Sequence, residues 1–232
     1  MMDKTKSYPA MIFFSGGNYD YGNLKQFSLQ ANYFASRGVI CIQAEYGNKY
    51  DRTNVILESN ILESIADVKF CLGYFREQAR QFNIDSKKII ASGASAGGYL
   101  ALMTALSCCD DPNNNFKHSP KPNALVLFNP AIVKDSYKDL SPINKVVPGI
   151  PPAIIMQGTS DNITPVDTIK YFQHSLQSAG NRCDLFLYEG QPHGFFNYRV
   201  SKEYYQKTLL EVDKFLHSLG YIDGNPTIIN EK

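Results

Sequence analysis

Short apolar runs alternate along this chain with longer segments in which apolar residues return every three or four positions. A short run bounded by turn residues is typical of a buried strand, and the longer spacing is typical of an amphipathic helix. The runs predict strands at residues 9–14, 39–44, 88–94, 124–128, 153–157 and 184–188. The helical spacing predicts helices at residues 23–37, 59–82 and 201–219, one that includes residues 99–106, and one that begins near Pro165.

The order of these elements indicates the fold class. Strands that alternate with helices form a parallel sheet covered by helices on both faces. We therefore expect a doubly wound, mostly parallel α/β fold in a single domain over residues 1–232, with a leader at 1–8 and a loose tail at 221–232. The loop at residues 129–152 is rich in Pro and Lys and would form at most a small lid.

The third predicted strand runs into the motif Gly93-Ala94-Ser95-Ala96-Gly97, and a helix follows it. A Gly-x-Ser-x-Gly motif in this position is typical of a sharp turn that strains the serine backbone and exposes its hydroxyl. The glycines on either side let strand and helix pass without side-chain collision. Ser95 is therefore the candidate nucleophile.

A serine hydroxyl is a weak nucleophile, so it needs an imidazole to accept its proton and a carboxylate to orient that imidazole. The fifth strand ends shortly before Asp161, and the sixth shortly before His193. Because ligands bind beyond the carboxyl ends of parallel strands, we expect both residues beside Ser95. Asp167 and Glu189 are weaker candidates for the acid, since Asp167 falls in a predicted helix and Glu189 is too near His193 in sequence.

Attack by serine places negative charge on the carbonyl oxygen of the substrate, and backbone N–H groups can stabilise that charge. The candidate donors are Ala96, which follows the nucleophile, and Gly17, in the turn after the first strand, with Gly16 as an alternate. The two glycines would equally suit a tight turn with no catalytic role.

Several loop residues near the expected site are candidates for the substrate pocket. They are Asn18, Tyr19, Tyr46, Phe195 and Phe196. Aromatic residues in loops are used as often for packing, so a purely structural role is the alternative interpretation.

The composition argues against several kinds of partner. The formal net charge is +1, which provides no electrostatic basis for binding nucleic acid or an anionic membrane. No apolar run is long enough to span a bilayer, and the N-terminal residues lack the apolar core of a signal peptide. A small, roughly neutral ligand is therefore expected.

The cysteines and histidines predict neither a metal nor a cofactor. Five cysteines, an odd number without a Cys-x-x-Cys pair, indicate reduced and mostly buried thiols of a cytoplasmic protein. The histidines other than His193 are His118, His174 and His217, and none of these has a partner at metal-ligand spacing.

Seven short motifs between residue 9 and about residue 221 carry a family resemblance. They read FFSGG (13–17), YFASRG (33–38), AEY (44–46), GASAGG (93–98), FNP (128–130), GTSD (158–161) and EGQPHGFF (189–196). Together they resemble the α/β-hydrolase superfamily and, within it, the acetyl esterase/lipase group, which includes acetyl-xylan and feruloyl esterases. The resemblance implies a carboxylic-ester hydrolase that acts on small acyl groups, often acetyl groups on carbohydrate.

The sequence departs from this family pattern in two places. Where relatives usually have His-Gly-Gly-Gly, this chain has Ser15-Gly16-Gly17-Asn18, so the backbone donors remain but the histidine that braces the turn is absent. Relatives also carry antiparallel strands before the first strand predicted here. The sheet is therefore expected to be trimmed at one edge, which would favour a homodimer through that edge.

The favoured hypothesis is a serine esterase that cleaves short acyl esters, above all acetyl esters, through an acyl-enzyme on Ser95. A peptidase or thioesterase on the same scaffold is an alternative, although peptidases of this kind usually add a large gating domain. An alternative of a different class is a non-catalytic protein that keeps the hydrolase fold to bind a ligand. Such proteins typically lose a residue of the triad, and none is lost here.

Overall fold

Six parallel strands form one sheet in the computed structural model, which describes residues 3, 5–17, 23–47, 58–107, 119–132 and 138–227. The strands are β1 (Tyr8–Phe14), β2 (Ile40–Ala44), β3 (Ile84–Ala94), β4 (Ala124–Phe128), β5 (Ala153–Gly158) and β6 (Cys183–Tyr188). Their order across the sheet is β2-β1-β3-β4-β5-β6, and every neighbouring pair is parallel. β2 and β6 are thus the edges of the sheet that the described residues form.

Helices cover both faces of this sheet. In the described ranges the α-helices are α1 (Ser28–Ser36), α2 (Glu58–Glu77), α3 (Ala96–Leu106), α4 (Val166–Ser178) and α5 (Lys202–Ser218). Apolar residues of α2, α3 and α4 pack in the core on one face, and those of α1 and α5 pack in the core on the other. The predicted doubly wound α/β fold is confirmed.

Burial on two faces explains the continuous apolar runs in the strand sequences. In β1, Ala10, Ile12 and Phe14 lie in the core beneath α2, α3 and α4. The alternate residues Met11 and Phe13 lie in the core beneath α1 and α5. A strand covered on both faces has no position at which a polar side chain reaches water, so its sequence does not alternate.

The predicted helix over residues 59–82 was too long at its end. α2 ends at Glu77, and turns follow until Asn83, whose φ of 56° is left-handed. The apolar pattern continues past the helix because Phe82 packs against Phe75, with ring centroids 5.4 Å apart. A helical spacing can therefore persist into a turn that folds back onto the same helix.

The structure describes part of the predicted tail and part of the loop predicted to form a small lid. Ile222, in the predicted tail, is buried in the core beneath α1 and α5. Between β4 and β5, the described residues form only two short 3-10 turns, Lys138–Leu140 and Pro142–Lys145.

Within the described ranges, no helix combines the length and apolarity needed to cross a membrane.

A buried ion pair joins the two helices on one face of the sheet. The carboxylate of Asp213, on α5, accepts hydrogen bonds from Arg37 Nε at 2.8 Å, Arg37 Nη2 at 3.2 Å and Tyr33 Oη at 2.6 Å. Its side chain is 0% exposed. Burial and the hydrogen bond to Asp213 raise the pKa of Tyr33 to about 12, so this hydroxyl remains a donor. The end of α1 is thereby fixed to α5.

Arg37→Ala is expected to lower the free energy of unfolding by about 3–5 kcal/mol, because it leaves the buried Asp213 carboxylate without its counter-charge. Lys214→Ala is the control, since it removes only an exposed pair with Glu211 on the same helix. That change should cost less than about 1 kcal/mol. Urea denaturation followed by circular dichroism measures both values, and equal small losses would contradict the role of the Arg37–Asp213 pair.

Candidate active site

Ser95 lies in the turn between β3 and α3, with φ of 52° and ψ of −119°. A positive φ is uncommon for serine and persists only where the surroundings enforce it. Here the Ser95 N–H donates to Phe128 O at 3.1 Å, and Ser95 O accepts from Ala131 N at 2.9 Å. The end of β4 and the residues after it therefore hold the strained turn.

Glycine is required on both sides of Ser95 by direct backbone contact. A Cβ atom on Gly93 would lie 2.3 Å from Gly97 O, and a Cβ atom on Gly97 would lie 2.2 Å from Phe14 O. Both distances are far below van der Waals contact, so any side chain would separate β3, α3 and β1. This close packing places the turn after β1, which carries Gly16, directly beside Ser95.

Asp161, in the turn after β5, is bonded to His193, in the turn after β6. His193 Nδ1 lies 2.8 Å from Asp161 Oδ2, and the Asp161 side chain is 0% exposed. Ile163 N and Thr164 N donate to Oδ1, both at 2.9 Å, while Thr164 Oγ1 and Gln157 Nε2 donate to Oδ2 at 2.8 and 3.1 Å. This carboxylate is held in one orientation and serves as an acceptor for the imidazole.

The same contacts set the charge of Asp161. Burial by itself would raise the pKa of this carboxyl group, but the hydrogen bonds from His193 and Thr164 outweigh burial and lower the pKa to about 2. Asp161 is therefore ionised at every pH at which the protein is expected to work.

Ser95 and His193 line one cavity of about 270 Å³. The described residues around it are Gly16, Gly17, Gln26, Ala94, Ser95, Asn129, His193, Gly194, Phe196 and Asn197. Asn129 Nδ2 lies 3.2 Å from His193 Nε2. Ser95 Oγ has no hydrogen bond to any residue in the described ranges. The structure thus brings Ser95 and the Asp161–His193 pair to one site.

The backbone N–H groups predicted to stabilise the oxyanion differ in whether they already donate a hydrogen bond. No described residue accepts a hydrogen bond from Gly17 N or from Ala96 N, and Ala96 is the first residue of α3. The N-terminus of a helix carries partial positive charge, which suits a developing oxyanion. Gly16 N, by contrast, donates to Gln26 Oε1 at 2.7 Å. Gly16 is therefore already satisfied, and Gly17 and Ala96 are the free pair.

Sequence reasoning missed three side-chain amides at this site. Gln26 Oε1 accepts from the turn after β1, and Gln26 Nε2 lies 3.5 Å from Asn197 Oδ1. Asn197 Nδ2 donates to Gly194 O at 2.8 Å, and Gly194 N donates to Asn129 Oδ1 at 3.2 Å. The amides of Gln26, Asn197 and Asn129 therefore link the turn after β1 to the loop that carries His193.

One of these amides, that of Gln26, braces the turn in which the family pattern usually has a histidine. Gln26, in the short 3-10 helix Leu24–Phe27 before α1, fixes the turn after β1 through its side-chain carbonyl. No motif marks Gln26 in the sequence. Asn129 lies in the FNP motif at the end of β4, and Asn197 follows β6, at the same edge of the sheet as His193; the motif and this position were the available signals.

The predicted pocket residues have different surroundings. Phe196 is buried and lines the cavity. Phe195 packs in the aromatic core, and Tyr46 donates its hydroxyl at 2.7 Å to a backbone carbonyl of the turn after β1. Neither is among the described residues that line the cavity. Asn18 and Tyr19 lie outside the described residues.

The rival candidates do not approach the imidazole. The Asp167 side chain is 92% exposed on α4, and Glu189 is exposed in the turn after β6.

Across the described ranges, no group of three or more His, Cys, Asp or Glu residues is placed to hold a metal ion.

Comparison with known proteins identifies the family. The sequence profile of the BD-FAE family matches residues 1–124, which is more than half of the 232-residue chain. The chain belongs to the BD-FAE family. The matched part of this BD-FAE protein contains β1, the turn after it and the whole of the Ser95 motif.

Solved structures of an esterase resemble this BD-FAE protein over nearly its whole length. The apo form of Thermogutta terrifontis esterase 2 is 35% identical, with a TM-score of 0.87, and the match covers 97% of this chain and 88% of that one. Other structures of the same esterase are described as phosphorylated by paraoxon, propionate-bound and butyrate-bound. This similarity confirms the α/β-hydrolase fold.

Two of the curated relatives are named esterases. An acetylxylan esterase of Xylanibacter ruminicola is 27% identical over 180 residues, which cover 67% of this chain and 35% of that protein. Esterase LipC of Mycobacterium tuberculosis is 23% identical over 226 residues, covering 82% of this chain and 54% of LipC. The chain thus spans between about a third and about half of these relatives.

Asp161 should titrate well below an ordinary aspartate, whose pKa is 3.8. Because the folded-state pKa is the lower one, the carboxylate stabilises the folded protein fully above pH 3.8 and loses this contribution as the pH falls through about 2. The ¹³Cγ resonance of Asp161, assigned with the Asp161→Asn variant, reports the midpoint. A midpoint at or above 3.8 would contradict the hydrogen-bonded geometry.

Proposed function

We propose that this BD-FAE protein hydrolyses short-chain carboxylic esters through an acyl-enzyme on Ser95. The observation that carries the proposal is the 2.8 Å contact between Asp161 and His193, with the other nitrogen of the imidazole turned to the cavity that Ser95 lines. The strained backbone of Ser95 and the free N–H groups of Gly17 and Ala96 support the same function.

In the first step, His193 Nε2 takes the proton of Ser95 Oγ while Oγ forms a bond to the carbonyl carbon of the ester. The carbonyl electron pair moves to oxygen, and the N–H groups of Gly17 and Ala96 donate to the oxyanion. Loss of one such donor typically costs about 3 kcal/mol of barrier. Asp161 stabilises the imidazolium, which then protonates the alcohol oxygen as the carbon–oxygen bond breaks.

In the second step, water replaces the alcohol. His193 Nε2 accepts a proton from water as its oxygen attacks the acyl carbon, and a second oxyanion forms in the same place. The imidazolium returns the proton to Ser95 Oγ when the acyl bond breaks. The products are one carboxylic acid and one alcohol, with Ser95 regenerated.

The substrate is proposed to carry a short acyl group, with acetyl as the first candidate. A cavity of about 270 Å³, partly walled by Phe196, suits a small group. Propionate and butyrate in the structures of the Thermogutta terrifontis enzyme support this size, and the acetylxylan esterase relative supports an acetyl group on carbohydrate.

The assembly state and the compartment stay predictions. β2 is an edge strand of the described sheet, which supports a homodimer through that edge. Cys41, Cys71 and Cys183 are free thiols, and burial raises the pKa of each to about 12. Such unreactive, unpaired thiols support a reducing compartment such as the cytoplasm.

Ser95→Ala should lower kcat/KM for p-nitrophenyl acetate by at least about three orders of magnitude, because the nucleophile is removed while the rest of the site remains. Ser92→Ala is the matched control. It removes a buried β3 hydroxyl, three residues before Ser95, that has no hydrogen-bond partner among the described residues, and activity should stay near that of the unmodified protein.

Activity of Ser95→Ala equal to that of Ser92→Ala would refute the proposed nucleophile. A panel of p-nitrophenyl esters from acetyl to octanoyl, with acetylated xylan and methyl ferulate, then defines the substrate. Preference for thioesters or peptides would favour a thioesterase or peptidase, and no turnover by the unmodified protein would favour a binding protein.

A further inference from the structure

Asn129 is held rigidly at the end of β4. It is fully buried, its φ is 34°, and its backbone N–H donates to Met156 O at 2.8 Å in the neighbouring strand. A left-handed backbone is tolerated better by asparagine than by most side chains, yet it persists only where surrounding contacts fix it. These contacts fix the position from which the Asn129 side chain lines the cavity.

The orientation of this amide follows from its second partner. Gly194 N can only donate a hydrogen bond, and it lies 3.2 Å from Asn129 Oδ1. The Asn129 carbonyl oxygen must therefore face Gly194, and the NH₂ group must face His193 Nε2 at 3.2 Å. Reversing the amide would place a donor against a donor.

This orientation determines the tautomer of His193. Because an NH₂ group only donates, Nε2 must accept and carries no proton. The proton of the neutral ring is then on Nδ1, where it is donated to Asp161 Oδ2 at 2.8 Å. This is the tautomer that a general base facing a serine needs, and it is specified from both ring nitrogens.

Nε2 has only one lone pair in the ring plane, so Asn129 and the nucleophile compete for it. Among the described residues, Ser95 Oγ has no hydrogen bond, while Nε2 is engaged by Asn129. We infer that Asn129 is a positioning residue that keeps the proton of the neutral His193 ring on Nδ1 until Ser95 Oγ takes its place at Nε2. This inference rests on the proposed esterase function.

The same contact offers no acceptor for a hydrogen on Nε2. Once Nε2 carries a hydrogen, it faces the NH₂ donor of Asn129, and two donors repel. Asp161 is the charged group bonded to the ring, and the other described side chains that line the cavity are uncharged.

Asn129→Asp tests the inference with a nearly isosteric change. One oxygen of the new carboxylate can still accept from Gly194 N, while the other now accepts from a protonated Nε2. The acid limb of the kcat/KM profile should therefore move to higher pH by about one unit or more, since a nearby opposite charge favours the protonated ring. A merely structural residue would lower activity without moving this limb.

Asn197→Asp is the matched control, because it adds the same charge to the same cavity. Asn197 bonds Gly194 O and Gln26 rather than the imidazole, so its acid limb should move less. Equal shifts in the two variants, or no shift in Asn129→Asp, would overturn the inference.

A measurement on the unmodified protein covers the case in which Asn129→Asp does not fold. With ¹⁵N-labelled histidine, the neutral ring of His193 should show a protonated Nδ1 and an unprotonated Nε2, and Asn129→Ala should raise the pH at which Nε2 gains its proton. A protonated Nε2 in the neutral ring, or an unchanged midpoint, would refute the role of Asn129. Failure of the proposed function is distinguishable, because it appears as full activity of Ser95→Ala or as no turnover at all.

Discussion

The contact between the backbone of Gly97 and the carbonyl oxygen of Phe14 is the constraint on which the site depends. Because a Cβ atom on Gly97 would lie 2.2 Å from that oxygen, α3 can leave β3 at this steep angle only with glycine there. The contact brings the end of β1 against the start of α3. Ser95, the candidate nucleophile, then lies beside the turn that carries Gly16 and Gly17, although the two segments are far apart in the sequence.

Electrostatic interactions and side-chain hydrogen bonds fix the other residues of the site. The buried carboxylate of Asp161, with its pKa lowered to about 2, fixes one nitrogen of His193. The amides of Gln26, Asn197 and Asn129 connect the remaining parts of the site, so the turn after β1 and the histidine loop are held together without a charged group. A site built in this way is pre-organised, which suits stabilisation of a transient oxyanion.

The sequence predicted the fold, and the contact between Asp161 and His193, for a physical reason. Strands buried on both faces leave continuous apolar runs, and parallel strands collect the residues after them, Asp161 and His193 included, at one edge. The amide contacts could not be predicted, because Gln26 and Asn197 are 171 positions apart and Asn129 and His193 are 64 apart. Local pattern also misplaced the end of α2, since Phe82 keeps the helical spacing after the helix has ended.

Covalent labelling tests the central claim most directly. A fluorophosphonate reacts rapidly only with an activated serine, so the protein should gain the mass of one adduct, and peptide mapping should place that adduct on Ser95 alone. No adduct, or an adduct on another residue while Ser95 stays unmodified, would contradict the account of this site as a serine esterase.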